Sequence, residues 1–214
     1  MKRLQTTFLL GAAAACLAFA PFASADLITN GDFETGDFTG WTVFTTANGT
    51  VSGGAVTSFD TTGAGASLAA QFNVGDVNYT GNQEGGGISQ VFDLASDGTV
   101  DFSADVATDS STFNNVSGGV YSLLVDGTTY DSYNSGPVNF DVYRDTLTAS
   151  VGLTAGDHTL EILITRPYVA YEGGTPTQYV DNVTAAEEAS TPEPATLAML
   201  GLGLSAIGLL RKRR

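Results

Sequence analysis

The sequence predicts an all-β protein, an antiparallel β-sandwich of the jelly-roll kind. Three observations point to it. Apolar residues recur at every second position in several short runs, the period of a half-buried strand. Turn dipeptides such as Asp97-Gly98, Asp126-Gly127 and Gly156-Asp157 separate the runs. Gly, Ser, Thr, Asn and Asp dominate the body, which has no long aliphatic pattern of helical period. About ten short strands joined by tight turns suit two packed sheets.

The chain divides into residues 1–25, 26–189 and 190–214. The first segment reads as a secretory leader. Lys2 and Arg3 precede the apolar run 8–20, and Ala23-Ser24-Ala25 supplies the small residues that signal peptidase accepts. Cleavage there leaves Asp26 as the first mature residue. Cys16 also admits a lipoprotein reading, but Ala13 stands where that signal usually has Leu.

The body, 26–189, is long enough for one domain with one core. Strands are expected over 41–44, 67–74, 88–93, 100–106, 120–125, 138–151, 160–164 and 178–184. Val100, Phe102, Ala104 and Val106 alternate with Asp101, Ser103 and Asp105, which places the acids in water. Leu160, Ile162 and Ile164 alternate in the same way around Glu161. Asp126-Gly127 lies between the β-rich runs 121–125 and 128–133 and predicts a hairpin. Gly85-Gly86-Gly87 and Gly118-Gly119 are expected as loops ahead of strands. A phosphate cradle would need a helix N-terminus after them. A β-solenoid would need a fixed repeat of about 20 residues, which the body lacks.

In the tail, Pro192-Glu193-Pro194 is followed by an uncharged span, 195–210, and then by Arg211, Lys212, Arg213 and Arg214. As a helix that span reaches about 24 Å, slightly short of a hydrocarbon core of ~30 Å. Snorkelling arginines can make up the difference, and the basic end stays in the cytoplasm by the positive-inside rule. These elements, in this order at the chain end, resemble the PEP-CTERM sorting signal. The resemblance implies export by a Gram-negative bacterium of the kind that makes exopolysaccharide, with transient membrane insertion through 195–210. It also implies recognition by an exosortase-type membrane protease, which cleaves near Pro-Glu-Pro and releases the protein to the cell surface or extracellular matrix.

Charge and composition exclude several activities. Eight basic against 23 acidic residues leave a net charge of −15, and residues 26–191 hold 22 of the acids with only Arg144 and Arg166, a charge of −20. Such a body repels phosphate backbones, so no nucleic-acid partner is expected. Cys16 is the sole cysteine and His158 the sole histidine. Disulfides, thiolate metal sites and two-histidine zinc sites are therefore out.

Asn30-Gly31-Asp32-Phe33-Glu34 followed by Gly40-Trp41, together with the closing run Tyr179-Val180-Asp181-Asn182-Val183-Thr184, resembles the edges of galactose-binding-domain-like jelly rolls, which include several carbohydrate-binding modules. The resemblance implies a jelly roll, a structural calcium near the joined chain ends, and a glycan site elsewhere. The residues supply their own argument for calcium. In a strand over 178–184, Tyr179, Asp181 and Val183 face the same way. On the core side Asp181 must be protonated, hydrogen-bonded or paired with a cation. On the other side it simply meets solvent or caps a turn. Glu34 and a main-chain oxygen near Asp32 can join Asp181 if the first and last strands are adjacent, and an all-oxygen set suits Ca²⁺.

For a glycan, Tyr168 and Tyr171 beside Arg166 are the best-placed platform, because pyranose C–H faces pack on aromatic rings. Trp41 is a weaker candidate, since a Trp at this position commonly enters the core. No spacing singles out a catalytic carboxylate pair, and no Gly-x-Ser-x-Gly elbow accompanies His158. The expected role is non-enzymatic: a surface or matrix β-sandwich, structural or adhesive in an exopolysaccharide layer. A dedicated carbohydrate-binding module is the alternative, and a secreted glycan-active enzyme is the third reading.

Overall fold

The computed structural model describes residues 26–45, 54–74, 83–111, 114–167 and 176–188. The leader, the sorting tail, and Tyr168 and Tyr171 lie outside the described residues. Among those described, the strands are β1 (Thr42–Thr45), β2 (Ala55–Phe59), β3 (Ser67–Phe72), β4 (Gln83–Leu94), β5 (Gly98–Asp109), β6 (Asn114–Ser117), β7 (Val120–Val125), β8 (Thr128–Asn134), β9 (Pro137–Asn139), β10 (Val142–Leu153), β11 (Gly156–Pro167) and β12 (Thr177–Glu187). They form two five-stranded antiparallel sheets, ordered β1-β4-β11-β7-β8 and β10-β5-β12-β3-β2, with β6 and β9 as a separate ribbon. This is the antiparallel jelly-roll sandwich that the alternation predicts.

Alternation decides which face each strand buries. Val100, Phe102, Ala104 and Val106 of β5 lie between the sheets with Leu160, Ile162 and Ile164 of β11, while Asp101 stays exposed. Ile88 and Phe92 of β4 and Tyr121 and Leu123 of β7 complete the same layer. Fully burying a large apolar side chain contributes about 1.5–3 kcal/mol, so this layer is the main source of stability.

Three expectations need correction, and two strands were not expected. Gly85-Gly86-Gly87 is not a loop but part of β4, where Gly87 pairs with Leu163 and a Cβ on it would overlap the Ile162 carbonyl oxygen. The run 138–151 is two strands, broken at Phe140, whose φ is +44°. Gly156-Asp157 opens β11, so the turn before it lies at Thr154 and Ala155. Strands β2 and β6 escape the sequence reading. In β2 no residue is fully buried, so its alternation leaves little trace.

Candidate functional site where the first loop meets the last strand

The site begins with the loop that precedes β1. Asn30 adopts φ +54°, a left-handed conformation that asparagine tolerates because its short amide can bond locally. Its Nδ2 donates to the carbonyls of Asp37 at 3.0 Å and Thr39 at 3.2 Å, and its Oδ1 accepts from Thr35 N at 3.3 Å. Trp41 Nε1 donates to the Asn30 carbonyl at 2.9 Å. Phe33, fully buried, stacks on Trp41 with ring centroids 5.9 Å apart. Trp41 is thus a core residue, 8% exposed, and not a sugar platform. Gly31 lies against β12: its carbonyl accepts from Val183 N at 2.9 Å, and a Cβ there would overlap the Val183 oxygen.

This arrangement predicts the behaviour of one variant. Asn30→Ala loses three side-chain hydrogen bonds and leaves alanine in a left-handed conformation, for an expected cost of about 2–4 kcal/mol in thermal or denaturant unfolding. Asn30→Gly, which keeps the backbone freedom, should lose less. Equal losses would mean that the left-handed conformation costs alanine nothing and that the loss comes from the side-chain bonds alone.

The last strand carries a bulge. Asp181 pairs with Asp105 and Thr184 with Ser103, so Asn182 and Val183 together oppose a single residue of β5. Asn182 takes φ +49° there. The expectation that Tyr179, Asp181 and Val183 share a face is therefore corrected. The extra residue turns Val183 into the core, while Tyr179 joins an outer cluster with Ala69 and Ala107, its ring stacked 3.7 Å from that of Phe59. The partner of β12 at the chain start also differs from the expectation. β1 belongs to the other sheet, and it is the segment around Asp26 to Gly31 that bridges to β12, through Asp26 with Ala186.

Asp181 is fully buried. Its Oδ2 accepts from Ser67 Oγ at 2.6 Å and its Oδ1 from Asn182 N at 2.7 Å. Asn182 Nδ2 in turn donates to Asp105 Oδ2 at 2.9 Å, and Thr146 Oγ1 donates to Asp105 Oδ1 at 2.6 Å. Glu34 reaches the same place from the first loop, its Oε1 accepting from Leu68 N at 3.1 Å, next to Ser67. Burial pushes the Asp181 carboxyl above the usual carboxylate range. The Ser67 and Asn182 hydrogen bonds oppose this, and the charges of Asp105 and Glu34 reinforce it. Asp32 is turned elsewhere: its carboxylate accepts from Glu34 N, and it lines a cleft of about 290 Å³ with Asn30, Asn182 and Thr184.

Asp181, Glu34 and Asp105 bring carboxylate oxygens, the donors that an oxygen-ligated cation takes, into one region. No basic side chain forms an ion pair with Asp181 among the described residues, where Arg144 pairs with Asp60 and His158 with Asp126. The hydroxyl of Thr61, itself 1% exposed, is buried without a hydrogen-bond partner, and Thr61 lines one cleft with Asp105. Carboxylates and hydroxyls are the donors hard divalent ions take. Among the described residues no three His, Cys, Asp or Glu side chains converge as a ready-made cage, so a cation here would need main-chain oxygens for part of its shell. Sequence reasoning missed Asp105 and Thr61, because only the register opposite Asp181 and the loop after β2 reveal them.

That cleft, about 250 Å³, is lined by Thr61, Thr62, Asp105, Arg144, Asp145 and Thr146. Arg144 Nε holds the Asp60 carbonyl at 3.0 Å, clamping the loop over the sheet. Arg166 lies apart from it, 3% exposed near the C-terminal end of β11, and its Nε donates to the Ser117 carbonyl at 2.6 Å.

Comparison with known proteins adds the following. No curated protein matches the chain. Among solved structures, the carbohydrate-binding module TmCBM61, in complex with β-1,4-galactotriose, aligns at 13% identity and TM-score 0.49 over 77% of this chain and all of that one. The CBM22-1 xylan-binding domain of Paenibacillus barcinonensis Xyn10C aligns at 15% identity and TM-score 0.45, over 77% and 96% of the two chains. The Stig cyclase Fisc from Fischerella sp. TAU aligns at 15% identity and TM-score 0.46, over 78% and 98%. Galactotriose and xylan are ligands of those proteins. Among the described residues no helix is long and apolar enough to cross a membrane. Residues 190–214 match the PEP-CTERM protein-sorting motif, which marks the protein for export and cell-surface sorting and implies processing by an exosortase.

Proposed function

We propose that the protein is a surface or extracellular-matrix component of a Gram-negative bacterium, structural or adhesive in an exopolysaccharide layer, and not an enzyme. The observation that carries this reading is the sorting motif at 190–214 joined to a body of charge −20. Signal peptidase removes 1–25, the tail enters the membrane transiently through 195–210, and an exosortase-type protease frees the body near Pro192-Glu193-Pro194. Its charge keeps that body hydrated and apart from other anions. A structural Ca²⁺ belongs to the same reading. Glu34, Asp181 and a main-chain oxygen near Asp32 would hold it, with Asp105 alongside, and it would supply the positive charge that the buried carboxylate lacks.

The second reading is a dedicated carbohydrate-binding module, and the cleft around Arg144 and Asp145 favours it. Hydroxyls, carboxylates and a guanidinium line it, the donors and acceptors that sugar hydroxyls need. Tyr168 and Tyr171 would add ring faces.

The test is binding of the full secreted protein to arrays of neutral and anionic oligosaccharides. A binding module should retain a neutral glycan, and Arg144→Ala or Asp145→Asn should weaken it about tenfold, the loss of one good hydrogen bond. No binding, together with an altered matrix in a deletion strain, supports the structural role. Release of hydrolysis products would overturn the non-enzymatic reading.

A further inference from the structure

His158 is the third residue of β11 and sits opposite Phe92 of β4. Its Nδ1 lies 2.7 Å from Asp126 Oδ2, and its Nε2 lies 2.7 Å from the carbonyl oxygen of Thr154. Both neighbours are acceptors. A carbonyl carries no proton, and Asp126 is held ionised, below the usual carboxylate range, by His158 and by the backbone N–H of Thr159. A neutral imidazole has one N–H and can satisfy only one of the two. Its other nitrogen would then direct a lone pair at an oxygen lone pair across 2.7 Å. The imidazolium satisfies both.

Position gives this ion a mechanical role. Asp126 belongs to the turn between β7 and β8, and its Oδ1 also accepts from Thr159 N at 2.9 Å. Thr154 belongs to the turn between β10 and β11. The His158 side chain is only 10% exposed, and its ring lies tilted against that of Phe92 with centroids 5.7 Å apart. One ring thus joins the hairpin turn of β7 and β8 to the β10–β11 connection between the two sheets, over the edge of the core. General-base chemistry is closed to it, because neither nitrogen is left for a substrate.

We propose that His158 is a pH-sensitive latch: as imidazolium it binds the β7–β8 turn to the β10–β11 turn, and on losing its proton it frees this end of the sandwich. The charged groups on the surrounding elements are all acidic. They are Asp126 on its turn, Asp157 on β11, Asp93 opposite Asp157 on β4, and Asp97, whose carboxylate holds Ala155 N. The hydrogen bonds to Asp126 and Thr154 raise His158 above its ordinary value of 6.5, in keeping with this geometry. The folded state therefore binds the proton more tightly than the unfolded chain. The contribution to stability is complete below 6.5 and is lost as the pH rises through the folded value.

The experiment is an NMR titration of the intact secreted protein, with ¹⁵N shifts of the His158 ring and amide exchange of Thr159 followed together. The expected result is a ring mostly protonated at both nitrogens at pH 6.5, with a midpoint above that value, and loss of Thr159 protection as that midpoint is passed. His158→Gln should leave Thr159 protection independent of pH over the same range, beyond the intrinsic rate. A neutral ring tautomer at pH 6.5 in the parent protein, or the same pH-dependent loss in His158→Gln, would overturn the latch.

Discussion

In chelator, Asp181→Asn is expected to be at least as stable as the parent, and in millimolar Ca²⁺ it is expected to lack an upward melting shift that the parent shows. Both halves follow from the same buried carboxylate. Asp181 is fully buried with its folded-state value raised by burial, so without a cation the fold favours the protonated form. Its contribution then falls as the pH climbs from the unfolded value of 3.8 through the raised folded value, and at neutral pH the ionised group is a cost. Asparagine removes that cost: its Oδ1 can keep the bond from Asn182 N, and its Nδ2 can donate to Ser67 Oγ in place of the bond that Ser67 gave. A bound Ca²⁺ reverses the sign, since the ionised form is then the one stabilised. At a hundredfold excess over its dissociation constant the ion adds about 2.7 kcal/mol, or roughly 5–10 °C for a domain of this size. Scanning calorimetry with Ca²⁺, Mg²⁺ and chelator checks it, with Glu34→Gln as a second variant. Screening of the −20 body would also stabilise, but with either ion and in every variant. An equal response to both ions that persists in Asp181→Asn and Glu34→Gln removes the site.

Gly87→Ala is expected to cost about 3 kcal/mol or more, lowering the melting temperature by roughly 6–12 °C. Gly87 lies in β4 opposite Leu163 of β11, and an added methyl would overlap the Ile162 carbonyl oxygen. The obstacle is backbone of the neighbouring strand, which cannot rotate aside as a side chain could. β4 is an inner strand of its sheet, paired with β1 on one side and β11 on the other, so a shift propagates to both. Gly152→Ala in β10 is the control, because a Cβ there meets nothing within 4 Å; it should stay within about 0.5 kcal/mol of the parent. If Gly87→Ala melts alongside Gly152→Ala, β4 and β11 are not in the close register described.

The sandwich was legible because burial in a strand is written locally. Val100 to Val106 and Leu160 to Ile164 show their inner faces by alternation alone, and Asp126-Gly127 names its own turn. The glycine run in β4 was misread because a close approach between strands leaves the same residues as a loop does. The bulge in β12 was invisible for a related reason. Whether Asn182 adds a residue to the register depends on the hydrogen bonds of β5, and no property of 178–184 determines them.

The same division runs through the functional reading. The sorting tail is decided by sequence alone, and the expectation of a leader rests on sequence alone, because peptidases and membranes read apolar length, small residues and terminal charge as linear features. The opening Asn30 to Trp41 motif was legible as a pattern, yet its reason, an amide holding three backbone groups around a Phe–Trp stack, lies in the folded loop. Asp181 could be singled out from its strand, and Glu34 with it, but Ser67 and Asp105 could not. Ser67 is 114 positions away in the chain, and Asp105 comes opposite through register. Likewise His158 reads as part of a turn leading into a strand until the fold brings an acceptor to each ring nitrogen. Ionisation and metal affinity depend on what stands within a few ångströms of a group, and for these side chains only the packing of distant strands decides that.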